Sequence, residues 1–133
     1  MQTNPSNIQR ANRGPRRPIE EYKILIRIDV DWSSTGIWAI AEPGASYSGK
    51  NLSYEGLPIS EELRKRFETW TEWHDLSTPE DEEKHADWNL HEVYAWSLAI
   101  DLKRELGDDY YVEFGGREIH DDIKFLKQIT RCA

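Results

Sequence analysis

The sequence predicts an α/β (α+β) domain in two layers, a small, mainly antiparallel sheet covered by helices in the order β-β-α-α-β-α. Three observations carry that expectation. Residues 22–31 alternate apolar and polar with a period of two, residues 60–106 hold two long segments with helical apolar spacing, and Tyr110-Tyr111-Val112-Glu113-Phe114 returns to strand composition. A chain of 133 residues fits one domain, with room for a core that needs no disulfide or metal.

Residues 1–19 form the first segment. They carry Arg10, Arg13, Arg16 and Arg17, no acid, and runs such as Gly14-Pro15-Arg16-Arg17-Pro18 that break structure rather than propagate it. A basic, disordered N-terminal arm is expected, able to dock on an acidic surface, the domain's own included. All 25 acids fall in residues 20–133, so setting aside the arm's four bases takes the net charge from −8 to −12 over that single acidic domain. Such a charge is pushed off nucleic acid and anionic membrane and draws in basic proteins. The apolar runs are far short of the ~20 residues that span a bilayer. The lone cysteine, Cys132, permits no internal disulfide, and a cytoplasmic protein is expected.

The elements follow in order. Tyr22, Ile24, Ile26, Ile28 and Val30 define one face of a strand over 22–31. Ser33-Ser34-Thr35-Gly36 breaks it, and Ile37-Trp38-Ala39-Ile40-Ala41 resumes it over 36–42 as a hairpin. Pro43-Gly44 ends the hairpin. Residues 45–57 read as a long loop with strand character near Tyr47 and Leu52-Ser53-Tyr54. Ser60 caps a helix over 60–75, followed by Glu61 and Glu62 where the helix dipole favours acids, with Leu63, Phe67, Trp70 and His74 on one face. A charged connection, 77–87, leads to a helix over 89–106. Asn89 and Glu92 have capping-box spacing there, and Gly107 is a natural stop. Its main apolar face runs from Leu90 to Leu106. A second stripe, Val93, Trp96 and Ile100, is either sandwiched inside the domain or offered to a second copy. After the strand 110–114 and the Gly115-Gly116 turn, Ile119, Ile123, Leu126 and Ile129 keep the spacing of a last helix.

Two patterns invite catalytic readings. Ile28-Asp29 before Thr35-Gly36 resembles the first hairpin of ribonuclease-H-like nucleases, especially the resolvase branch, and that resemblance implies a Mg²⁺-binding role for Asp29. The plainer reading makes Asp29 and Asp31 outward residues of an edge strand. His74, His85 and His91 each lie near a carboxylate, as zinc ligands often do. Yet none of these pairs has i, i+4 spacing, and His74 and His91 fall on apolar helix faces where hydrogen-bonded core histidines are common. With no Gly-rich phosphate loop and no nucleophile elbow, no catalytic residue, metal or cofactor is assigned, and the chain is read as non-enzymatic.

A surface reading is left. Glu80, Asp81, Glu82, Glu83 and Asp87 form an acidic run flanked by Trp73 and Trp88, charge to steer an encounter and aromatics to anchor it. Asp31-Trp32-Ser33-Ser34-Thr35-Gly36-Ile37-Trp38, Leu57-Pro58-Ile59-Ser60-Glu61-Glu62-Leu63 and Trp70-Thr71-Glu72-Trp73-His74-Asp75 resemble segments of small acidic bacterial immunity proteins, the partners of secreted toxins. The resemblance implies a toxin partner, and the charge balance makes that partner basic. A homodimer built on Val93, Trp96 and Ile100 is the competing arrangement.

Overall fold

The computed structural model describes residues 15–77 and 88–120. A five-stranded mixed sheet carries two helices on one face, so the expected mixed α+β class holds. The strands are β1 (Ile24–Ile28), β2 (Ile37–Ala39), β3 (Lys50–Asn51), β4 (Tyr110–Phe114) and β5 (Arg117–Glu118), and the helices are α1 (Glu61–Leu76) and α2 (Trp88–Leu106). Spatial order is β3-β2-β1-β4-β5. β1–β2, β2–β3 and β4–β5 are antiparallel, whereas the central pair is parallel, with Ile24 opposite Tyr110 and Arg27 opposite Glu113.

That parallel pair corrects the expected antiparallel placement of 110–114. Its cause lies in the connection. The chain returns after β3 to the end where β1 starts, α1 and α2 form an antiparallel pair, and β4 then sets out in the direction of β1. The pairs Ser60–Glu105 and Trp70–His91 fix the antiparallel helix alignment.

Period-two alternation divides β1 as its sequence demands. Ile26 and Ile28 join Ile37, Leu63, Phe67, Trp70, Leu98, Leu102 and Val112 in the main core between sheet and helices, while Leu25 packs on the opposite face. Each fully buried large side chain here contributes about 1.5–3 kcal/mol relative to an exposed one. Tyr22 departs from the expected face. It follows a 3-10 turn (Ile19–Glu21) and precedes the strand, so it packs with Ile40 and Tyr111 on the far side.

The helix ends follow their signals. The Ser60 side chain accepts from the Leu63 N–H, and Gly107 takes a positive φ of 83° at the foot of α2. In the second α2 stripe Ile100 is buried and Trp96 packs edge-on to Phe114 at 4.7 Å, so these two side chains are turned toward the sheet. Beyond Gly115-Gly116, Arg117–Glu118 pair with β4 and Ile119 is buried in the core. Residues 119 and 120 are not helical, and the rest of the helix expected there lies outside the described residues. Ile123, Leu126 and Ile129 lie outside the described residues, as do Arg10, Arg13 and Cys132.

Opposite the helices, the sheet buries charge. Glu113 accepts from Arg27 (2.7 Å), Tyr111 (2.9 Å) and the Gly44 N–H (2.8 Å), and Arg27 also reaches the Ala45 carbonyl. Neighbouring Glu118 accepts from Tyr22 (3.0 Å) and the Arg16 N–H (2.8 Å). Burial, then the Glu118 charge, pushes the Tyr22 hydroxyl up to about 12, and burial with Glu113 raises Tyr111 as well. The Arg17 guanidinium adds a contact to the Asp108 carbonyl and lies over the Tyr22 ring, so the described end of the basic arm rests on the domain.

Candidate partner-binding site

One end of the molecule gathers aromatic rings from three segments. The β1–β2 turn supplies Trp32, the last turns of α1 supply Trp70, Trp73 and His74, and the first turns of α2 supply Trp88, His91 and Tyr94. Local chemistry fixes the turn. The Asp31 carboxylate accepts from the Trp32 N–H (2.8 Å), Ser33 takes a φ of 57°, and its N–H donates to Asp75 Oδ2 (3.0 Å). Asp75 Oδ1 in turn binds His74 Nδ1 at 2.9 Å, so one carboxylate ties the turn to the end of α1. Gly36 lets the turn approach that helix. Its φ is 83°, and a Cβ there would stand 2.9 Å from Trp70 Cζ3.

His91 is the centre of the cluster and only 4 % exposed. Its Nε2–H donates to the Trp70 carbonyl (3.1 Å), and the Trp70 indole N–H donates back to the His91 carbonyl (3.0 Å). The two rings stack at 4.8 Å, and Trp73 and Trp88 meet His91 edge-on at 4.8 and 5.3 Å. Burial holds this imidazole below its ordinary value, and nearby His74 adds to the effect. The expected core histidine is therefore observed. Trp32 and Trp88 both contact the His74 ring.

The outer rim is open: Trp32 is 56 %, Tyr94 51 % and Trp88 40 % exposed, with Leu76 and Leu90 beside them. Exposed apolar side chains gathered in this way are characteristic of interaction surfaces. Trp70, Trp73, Tyr94 and Leu98 continue it into a groove of about 640 Å³ between α1 and α2.

The two sequence-predicted anchors, Trp73 and Trp88, are thus brought together through His91. Glu80, Asp81, Glu82, Glu83 and Asp87, with His85, lie outside the described residues; their connection attaches to this end at Ser77 and Trp88. Sequence reasoning did not place Trp32 and Tyr94 in this aromatic cluster, where they contact His74 and Trp73. A tryptophan in the polar turn Asp31-Trp32-Ser33-Ser34 was the available signal, since turn geometry has no need of one.

Asp29, the nuclease candidate, accepts from Ser48 Oγ at 2.9 Å, and its carbonyl takes the Trp38 indole N–H. Among the described residues, no group of three or more His, Cys, Asp or Glu could hold a metal ion, and no helix is long and apolar enough to cross a membrane.

Comparison with known proteins gives one family. The family described as Serratia CdiI immunity protein-like matches residues 24–116, more than half of the chain. The match runs past the segments 31–75 that carried the sequence resemblance and takes in α2 and β4. It covers every ring of the aromatic end and leaves out the basic arm. No curated protein matches the chain.

Proposed function

This chain belongs to the Serratia CdiI immunity protein-like family, and on that premise we propose that it is a non-enzymatic immunity protein that neutralises a basic toxin domain by occupying it. The observation that supports this reading most is the exposed aromatic rim at the α1–α2 end. Trp73 and Trp88 share one buried histidine there, and Trp32 extends the surface. Aromatic side chains held rigidly by packing are the usual carriers of interface energy, each able to account for about 2 kcal/mol or more. The acidic run Glu80-Asp81-Glu82-Glu83 with Asp87 joins this end of the helix pair in sequence, and we assign it to steering. A toxin acting on nucleic acid presents Lys and Arg around its site. An acidic partner is drawn there and excludes the substrate, with association accelerated by ~10–10³-fold at low salt.

The test is protection. Cells producing the toxin domain encoded by the neighbouring gene should survive when this chain is co-produced. Trp88→Ala and Trp32→Ala should each weaken the purified complex by about 30-fold, the equivalent of an anchor of about 2 kcal/mol. Charge reversal of residues 80–83 should slow association and flatten its salt dependence. Full protection and unchanged kinetics in all three variants would show that the toxin binds elsewhere.

A further inference from the structure

The outward side of the α1–α2 pair carries a groove of about 640 Å³. Trp70, Trp73, Tyr94 and Leu98 floor the groove, and Glu62 and Lys65 stand on its α1 rim. Trp70 and Leu98 are buried in the core, so the floor is rigid, while Tyr94 projects from it. From Glu62 to Trp73 the rim covers about three helical turns, ~16 Å at 1.5 Å per residue. A furrow between two antiparallel helices has the width and straightness that a third helix fills, at axis separations of ~8–10 Å.

The rim also carries uncommitted charge. Arg64, Arg66 and Glu68 are engaged: Arg64 pairs with Glu68, and Arg66 pairs with Asp101. Glu62 and Lys65, by contrast, make no ion pair within the described residues, and Lys65 Nζ and the Trp73 indole N–H have no hydrogen-bond partner there. The order along α1 is therefore negative, then positive, beside an apolar floor.

We propose that this groove seats one amphipathic α-helix of the toxin, lying along α1. Its apolar side chains, spaced i, i+4, i+7, would cover Trp73 and Tyr94. One carboxylate would face Lys65, and a base would face Glu62. The inference rests on the immunity reading and adds to it the element and charge pattern of the partner. Opposite charges at two positions also set the helix's register and direction, which an apolar groove alone leaves open.

The test uses the full chain and a catalytically silent form of the neighbouring gene's toxin domain, with affinity by calorimetry and contacts by hydrogen exchange. Tyr94→Ala should weaken binding at least about 30-fold and Lys65→Glu about tenfold, both at exposed positions where the fold is retained. Tyr47→Ala, on a loop residue 76 % exposed, serves as the control and should change nothing. The toxin segment newly protected from exchange should be a helix with the stated pattern, and replacing its carboxylate by lysine should restore the affinity of the Lys65→Glu chain. Native affinity in both groove variants, or protection of a toxin strand or loop instead, overturns the helix proposal and leaves the immunity reading standing. Ring protons of Trp73 and Tyr94 that contact residues 121–133 in the free chain, and keep those contacts when toxin is added, would show that the chain covers its own groove, which likewise overturns the helix proposal alone. A toxin domain that does not bind the unmodified chain overturns both.

Discussion

His91 ties the aromatic end together, and its protonation state is a stability matter. Burial holds its imidazole below the ordinary value of 6.5. The unfolded chain therefore takes up a proton near pH 6.5 that the folded chain resists. This contribution to stability is fully present above that pH and is lost as pH falls below it, at up to about 1.4 kcal/mol per pH unit. Urea titrations between pH 7.5 and 5 should show the loss, and His91→Gln, which keeps a donor toward the Trp70 carbonyl, should flatten it. A second residue-scale case is Arg27. Replacing it by Met leaves Glu113 charged, buried and short of its closest donor, at a cost of about 3–5 kcal/mol. Adding Glu113→Gln should recover part of that loss. The sequence made His91 legible as a core histidine because it sits on an apolar helix face. The Arg27–Glu113 pair was illegible, since nothing in either strand announces that residues so far apart share a register.

At the scale of elements, Ser60 does two jobs. Its hydroxyl caps α1 and donates to Glu105 at 2.9 Å, joining the start of one helix to the last turn of the other. Ser60→Ala should cost about 1–2 kcal/mol, readable as a lowered urea midpoint with the slope unchanged. Both helices were readable to within a residue or so, α1 from its Ser60 cap and apolar period and α2 from its apolar period and the Gly107 stop, although Asn89, the expected cap of α2, lies inside the helix. The strands were overextended: 22–31 shrinks to Ile24–Ile28 and 36–42 to Ile37–Ala39. Alternation continues through residues that have no ladder partner, so pattern alone cannot mark where pairing ends. β3 and β5, two residues each, are too short to show any period. Within the site, Trp73 and Trp88 were legible from aromatics set beside carboxylates. Tyr94 was assigned to the apolar face of its helix, and it is half exposed because α1 and the sheet together cover less than that helix's full apolar arc.

The whole molecule pairs an acidic domain with a basic arm whose last residues lie against it. Neutralising Arg16 and Arg17 changes the domain's contacts unevenly. Arg16 binds Glu118 through its backbone N–H, whereas Arg17 acts through its side chain. Arg17→Ala should therefore lower stability by no more than about 1 kcal/mol, since its pairing with Glu21 is solvent-exposed. Toxin association should respond to the net charge as a body. Raising ionic strength from 0.01 to 0.15 M shortens the screening length from about 30 to 8 Å, and stopped-flow association rates should fall by roughly tenfold or more. Rates indifferent to salt would remove charge from the recognition mechanism.

The parallel seam in the middle of the sheet has a consequence for how the protein is made. Arg27 and Glu113 bond across a separation of 86 residues, so β1 leaves the ribosome long before the strand that flanks it exists. During that interval the hairpin has one unshielded border, and every contact that would seal it is still to be translated. Non-local pairing of this sort slows folding because loop closure must come first. On the immunity reading, protection begins only when the last strands of the sheet have been synthesised. Any message cut short before Tyr110 yields a chain with an open strand edge, prone to aggregate and unable to complete its central sheet.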